Sequence, residues 1–218
     1  MDATPLLPVL ELSLLLQAYQ SRLRRLADDI DPSWLDALAR DEGFVPPSPD
    51  LAPLWRSALL RSRLRLGPVA PAAFTPPTHR LATLDKPALL VVLAARALYT
   101  HRAALARCVD GALLAGLRGF VGAPAAARLR AAGAVVASDR PAAWPDHATL
   151  LDWAVDGYAR FERDGAWGDP TLRRLVQVVL PAGAVAHAGG LAEGPTGDSA
   201  ALTALLPTLY PELAWLFG

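Results

Sequence analysis

The pattern of apolar and polar positions predicts helices along most of the chain, and the longest apolar run lies within residues 84–122. Over residues 87–109 no glycine interrupts the run, the only proline is its first residue, and the only charged side chains are three arginines. Successive helical residues are about 100° apart, so the leucines and valines of this run point in nearly every direction. We predict a central helix at 87–109 that other helices surround, with one stripe through Arg96, Thr100 and Arg107 left for water or a partner.

Helix-start signals recur along the rest of the chain, typically a capping side chain followed by proline or glycine. The β-like run at 134–137 is too short and too isolated to argue for a sheet. The chain is therefore predicted to be all-α, with about nine helices arranged around the central one. The other predicted helices begin near Thr4, Asp31, Asp50, Asp110, Pro124, Trp144, Asp169 and Asp198.

Two segments bear on domain organisation. Residues 68–79 hold four prolines and are predicted to form an extended internal connection. Residues 182–197, rich in glycine and alanine, are predicted to be a mobile loop. The helices before the proline-rich connection look too few to fold without the central helix, so we predict a single domain over residues 1–218.

Composition excludes several classes of function. Hydrophobic residues make up 53% of the 218 residues and charged residues 19%, which is typical of a folded chain. Lysine plus arginine and aspartate plus glutamate both number 21, so the chain lacks the basic field that nucleic-acid-binding proteins use. No apolar run of 18 residues is free of charge and proline, which predicts a cytoplasmic protein without a membrane span.

The sequence carries few signs of chemistry. The four histidines are far apart and show no metal-binding spacing, and the glycines at 190–197 lack the Lys-Ser/Thr pair of a phosphate loop. Cys108 excludes an internal disulfide because it is the only cysteine, and its place near a helix end predicts a buried, inert thiol. A serine at this position is then expected to cost stability by burying a hydroxyl. We predict no catalytic residue, no metal and no cofactor, and a non-enzymatic scaffold is the leading class.

Several short segments together resemble a known family. These segments are His101, Arg107-Cys108-Val109, Leu54-Trp55-Arg56-Ser57, Leu206-Pro207 and Leu216-Phe217. Through them the chain, in outline from about residue 50 to the end, resembles the type III secretion sorting-platform proteins of the SctK family, which includes the YscK-like and PscK-like proteins. The resemblance implies an adaptor at the cytosolic base of a bacterial injectisome, held near the inner membrane by protein contacts.

The resemblance also implies partners. Such an adaptor sits between the cytosolic domain of the inner-membrane ring protein (SctD) and the pod protein (SctQ), which connects onward to the stator and ATPase. We expect two protein-binding faces, with candidate interface residues among arginines expected to be exposed and with one tryptophan as an anchor. These candidates are Trp55, Arg61, Arg65, Arg173 and Arg174. The alternative is a small-molecule-binding protein or helical enzyme that uses the 182–197 loop as a lid over a deep pocket.

Overall fold

The computed structural model describes residues 8–42, 44–134, 144–145, 148–191 and 197–217. These residues form thirteen α-helices and three short 3₁₀ helices and contain no strand, which confirms the all-α prediction. The α-helices are α1 (Val9–Arg24), α2 (Leu26–Asp29), α3 (Pro32–Glu42), α4 (Pro53–Arg63), α5 (Pro77–Arg80), α6 (Lys86–Thr100), α7 (Arg102–Arg107), α8 (Gly111–Val121), α9 (Ala123–Ala134), α10 (Leu150–Arg163), α11 (Pro170–Gln177), α12 (Ala182–Leu191) and α13 (Asp198–Leu209). The 3₁₀ helices are Pro71–Phe74, Leu81–Thr83 and Pro211–Leu216.

The chain divides into two compact units, each made of separate stretches of sequence. The first unit comprises Met1–Leu89, Trp167–Ala186 and Trp215–Gly218. The second comprises Leu90–Ala166 and His187–Ala214. The prediction of one domain over residues 1–218 stays a prediction. The β-like run at 134–137 lies outside the described residues except for Ala134, which ends α9.

In the first unit, α1 buries one stripe of side chains against α4 and the first 3₁₀ helix. Leu15, Tyr19 and Leu23 follow one another at four-residue spacing, which places them on one face of the helix. The buried hydroxyl of Ser57 in α4 donates to the Arg24 carbonyl at 2.8 Å and accepts from the Ala27 amide at 3.1 Å. These bonds tie α4 to the junction between α1 and α2, whose backbone groups would otherwise lack helical partners.

The proline-rich segment 68–79 is not an extended connection, so that prediction is wrong. Pro71 begins a 3₁₀ helix and Pro77 begins α5, and both occupy the first helical turn, where proline removes no hydrogen bond. The imidazole of His79 is buried beneath this segment, where its Nε2 accepts from the Gly168 amide at 2.8 Å. Its Nδ1 therefore carries the proton and donates to the Ala73 carbonyl at 2.6 Å. His79 is a hydrogen-bonded core residue.

In the second unit, the predicted central helix is surrounded but is not continuous. Every residue from position 92 to position 98 of α6 is buried, which confirms that no broad face of this stretch meets solvent. The helix ends at Thr100 and α7 begins at Arg102, because His101 leaves the helical conformation with φ −91° and ψ 12°. After this break, α7 packs on α9, a helix that follows it later in the sequence. In this contact Gly133 of α9 lies against the Arg102 carbonyl.

The loop predicted at 182–197 is wrong for its first ten residues, which form α12. Four of these residues are alanines, and glycine in a helix costs only about 1 kcal/mol relative to alanine. Pro181 precedes the helix, at a position where proline is tolerated, and its carbonyl accepts the Val185 amide at 3.1 Å. Residues 192–196 lie outside the described residues.

Candidate protein-interaction surfaces

The stripe predicted to face water or a partner begins at Arg96, which is buried, so that prediction is wrong for this residue. The Arg96 side chain is fully buried and donates to Asp164 Oδ2 at 2.8 Å, to Ser199 Oγ at 2.7 Å and to Thr100 Oγ1 at 2.6 Å. Asp164 Oδ2 also accepts the amide of Ser199 at 3.1 Å and its hydroxyl at 2.5 Å. The charge of this arginine is thus used inside the second unit to hold α6 and the start of α13 to the residue that follows α10.

This buried ion pair sets the protonation state of Asp164. Burial alone would raise the pKa of the carboxyl group. The hydrogen bonds from Ser199 and Arg96, together with the positive charge of Arg96, outweigh burial and hold the pKa of Asp164 below its usual value. The carboxylate is therefore charged at neutral pH and accepts bonds only, a structural role that leaves it no proton to donate in acid catalysis.

Cys108 is half-buried rather than buried, so the prediction of a buried thiol is wrong. It lies just after α7 ends, where its neighbour Val109 is 93% exposed, and its Sγ is 3.9 Å from the Asp110 carbonyl. The helical pattern predicted burial because it continued the central helix through this position, whereas α7 ends at Arg107.

We now expect Cys108→Ser to change the free energy of unfolding by less than about 0.5 kcal/mol, because the hydroxyl can reach water. Chemical denaturation of the wild type and the variant measures this change. Titration of the native protein with an aromatic disulfide reagent should modify the thiol without unfolding. A loss of about 2 kcal/mol, or a thiol that reacts only in denaturant, would contradict the half-buried placement of Cys108.

The clearest surface feature is on α4, whose solvent-facing side is apolar. Leu54, Trp55 and Leu59 are 60%, 65% and 47% exposed, and Ala58 lies between them with an exposed side chain. The opposite side of the helix is buried through Ser57, Leu60 and the following Leu64. A surface helix normally exposes polar residues, so an apolar solvent face marks an interaction site. We call Leu54, Trp55, Ala58 and Leu59 the α4 apolar face.

A groove runs beside this face between α4 and α1. Gln20 and Arg24 of α1 line one wall, and Ala58 and Arg61 of α4 line the other. Arg65 follows α4 as an exposed residue with φ 54°, a left-handed conformation that glycine adopts far more readily than arginine. Three of the five candidate interface residues, Trp55, Arg61 and Arg65, thus belong to α4 or its end.

The other two candidates lie on a second groove of the first unit, between α3, α11 and α12. The guanidinium group of Arg174 is 5.3 Å from the ring centre of Trp34, whose Nε1 donates to the Leu180 carbonyl at 2.8 Å. Arg173 is exposed at the rim. The structure does not bring these two arginines together with the α4 candidates into one site, and the interface roles of all five stay predictions.

The sequence did not predict which leucines of α4 are buried and which are exposed. Their helical spacing predicts a helix that begins near Asp50 but does not divide its apolar residues between a buried and an exposed side, and the buried positions are Ser57, Leu60 and Leu64. Trp55 and Leu59 lie four residues apart on the side of the helix opposite to those three, but helical spacing does not tell which of the two sides is buried. The chain itself covers one side of α4 and leaves the α4 apolar face exposed.

These observations define an all-α protein whose surface features are suited to binding other proteins. The described helices include none that is both long and apolar enough to cross a membrane. The chain belongs to the family described as bacterial type III secretion protein (HrpB4), whose model matches residues 9–212. No curated protein and no solved structure matches the chain. The broader part of the resemblance, to type III secretion proteins, is confirmed.

Proposed function

We propose that this protein is a non-enzymatic cytosolic adaptor of the SctK type in the type III secretion sorting platform. In this role it links the cytosolic domain of the inner-membrane ring protein to the pod protein, and through the pod protein to the stator and ATPase. Family membership indicates that the protein works in a bacterial type III secretion system. The exposed apolar surface supports the proposal that it acts by binding other proteins.

The α4 apolar face is the observation that carries the proposal. Specific protein interfaces are commonly anchored by aromatic and aliphatic side chains with arginines at their edge, and Trp55 with Leu54 and Leu59 provides such a centre. Leu54 and Trp55 also lie within one of the segments that resemble the SctK family. Of the other segments, Leu206 and Leu216 are fully buried packing residues, whereas Val109 is 93% exposed but stands without an exposed aromatic neighbour in its segment.

The alternative function, a ligand site beneath a loop at 182–197 that acts as a lid, is less well supported because part of that segment is helical. It required a loop, and the residues nearest the second groove, Ala182, Val185 and Ala186, belong to α12. Arg174 in the same groove stacks on Trp34. The proposed adaptor role needs neither a lid nor a deep pocket.

Co-purification tests the adaptor role. The full chain is expressed with the cytosolic domain of the inner-membrane ring protein and the pod protein of the same secretion system, and is purified through a tag on the adaptor. We expect both partners to co-elute in size-exclusion chromatography, and we expect the ring domain and the pod protein mixed without the adaptor to elute separately. Recovery of neither partner would reject the proposed function.

A further inference from the structure

We infer that the α4 apolar face and the adjoining α1–α4 groove bind one amphipathic helix of a protein partner, with acidic residues along the edge of that helix that lies over the groove. This inference rests on the proposed function and adds the chemistry of the partner and the residues that recognise it.

The shape of the surface favours a helix as the bound element. The α4 apolar face and Ser62 extend over nine residues of one helix, a length of about 12 Å. The neighbouring groove runs between two helices, so a third helix can lie along it as helices do in packed bundles. Helix-in-groove binding uses a short row of apolar anchors, which Leu54, Trp55 and Leu59 would contact.

The charge of the surface favours an acidic edge on that helix. Arg24 and Arg61 line the groove, and none of the described residues that line it is acidic. Helix α4 from Pro53 to Arg63 carries three arginines and no acid, although the whole chain has equal numbers of acidic and basic residues. Arg56 pairs with Asp28 at 3.5 Å, so the excess positive charge at the groove comes from Arg24 and Arg61, and carboxylates complement it.

The same charges argue against a second copy of this chain as the occupant. In a twofold dimer each surface meets an identical one, which would place the arginines of one groove near those of the other. Like charges brought together at an interface cost binding energy. A partner with the opposite charge avoids this cost.

Binding measurements on the full chain test the inference, with the purified pod protein and the purified ring-protein cytosolic domain as probes. The apolar variant is Trp55→Ser with Leu59→Ser, and the charge variant is Arg24→Glu with Arg61→Glu. Matched controls are Val109→Ser, an exposed apolar residue elsewhere, and Arg40→Glu with Arg118→Glu, two exposed arginines outside the groove. The thermal unfolding of each variant is compared with that of the wild type. If a double variant does not fold, the single variant Arg24→Glu, at an exposed position, is used in its place.

We expect both test variants to bind one of the two probes at least about tenfold more weakly, and both controls to bind within about twofold of the wild type. Raising NaCl from about 50 to about 500 mM should weaken probe binding by the wild type more than probe binding by the charge variant, because salt screens the contacts between arginine and carboxylate.

Four results would overturn the inference. If the wild type and the test variants bind both probes equally well, the inference fails while the proposed function stands. If the wild type binds neither probe, the proposed function fails and the inference fails with it. A wild-type dimer that the apolar variant dissociates would assign the face to a second copy. If the wild type sediments with phosphatidylglycerol vesicles and the charge variant does not, the α4 apolar face and its groove would be assigned to binding a membrane surface.

Discussion

Gly157→Ala is expected to destabilise the protein by at least about 3 kcal/mol, the largest effect that we anticipate for the addition of a single methyl group. Gly157 lies in α10, where a Cβ atom would come within 1.7 Å of the Leu93 carbonyl oxygen and 2.6 Å of its carbon. Both obstructing atoms are backbone atoms of α6, so no side-chain rotation relieves the clash. The two helices would have to separate, which opens the core on both sides of the contact.

Thermal and denaturant unfolding measure this loss, and the chain provides a matched control. Gly116 lies in α8, and a Cβ atom added there would meet none of the described atoms beyond its own stretch of helix within 4 Å, so Gly116→Ala should stabilise the helix by about 0.5–1 kcal/mol. The same chemical change thus has opposite signs at the two positions. Comparable stability of the two variants would mean that α10 does not approach α6 as closely as described.

Asp164→Asn is expected to cost about 3–5 kcal/mol, because it leaves the fully buried guanidinium group of Arg96 without its counter-charge. The asparagine side chain can still accept a hydrogen bond, so the loss of stability measures mainly the missing negative charge rather than a missing hydrogen bond. Asp28→Asn is the control, since Asp28 pairs with Arg56 at 3.5 Å and is 57% exposed. Its substitution should change stability by less than about 1 kcal/mol.

The ion pair also gives a pH dependence with a definite sign. The pKa of Asp164 is lower in the folded protein than its unfolded value of about 3.9. Its stabilising effect is therefore complete above the unfolded value and is lost as the pH falls through the folded value. The stability difference between the wild type and Asp164→Asn should be constant from about pH 7 to about pH 5 and should shrink below about pH 4. A difference that stays constant in acid would contradict the lowered pKa.

Local signals in the sequence placed most helices correctly. Asp110 and Asp169 accept backbone amides at the starts of α8 and α11, as their position before glycine and proline predicted. The prediction that Asp50 caps α4 is wrong, because α4 begins at Pro53 and the Asp50 amide donates to Ser48 Oγ. Caps depend on a few neighbouring residues, so a single sequence contains most of the information that they require.

Contacts between distant residues could not be predicted in the same way. The burial of Arg96 depends on Asp164 and Ser199, which lie 68 and 103 positions away, and helical periodicity carries no information about such partners. The break at His101 follows no proline or glycine and accompanies the packing of α7 on α9. For the candidate surfaces, the sequence identified Trp55 and the arginines, but only the fold separates the leucines of α4 that pack inside from those that face outward.

The α4 apolar face also affects how the protein can be produced. A chain made without the proposed partner leaves Leu54, Trp55 and Leu59 exposed to solvent, and its formal net charge of zero provides little repulsion between molecules. If the proposed partner covers this face, precipitation during overexpression reflects an excess of the adaptor over that partner rather than a failure to fold. Coexpression with the proposed partner, from one transcript or one vector, is then expected to prevent it.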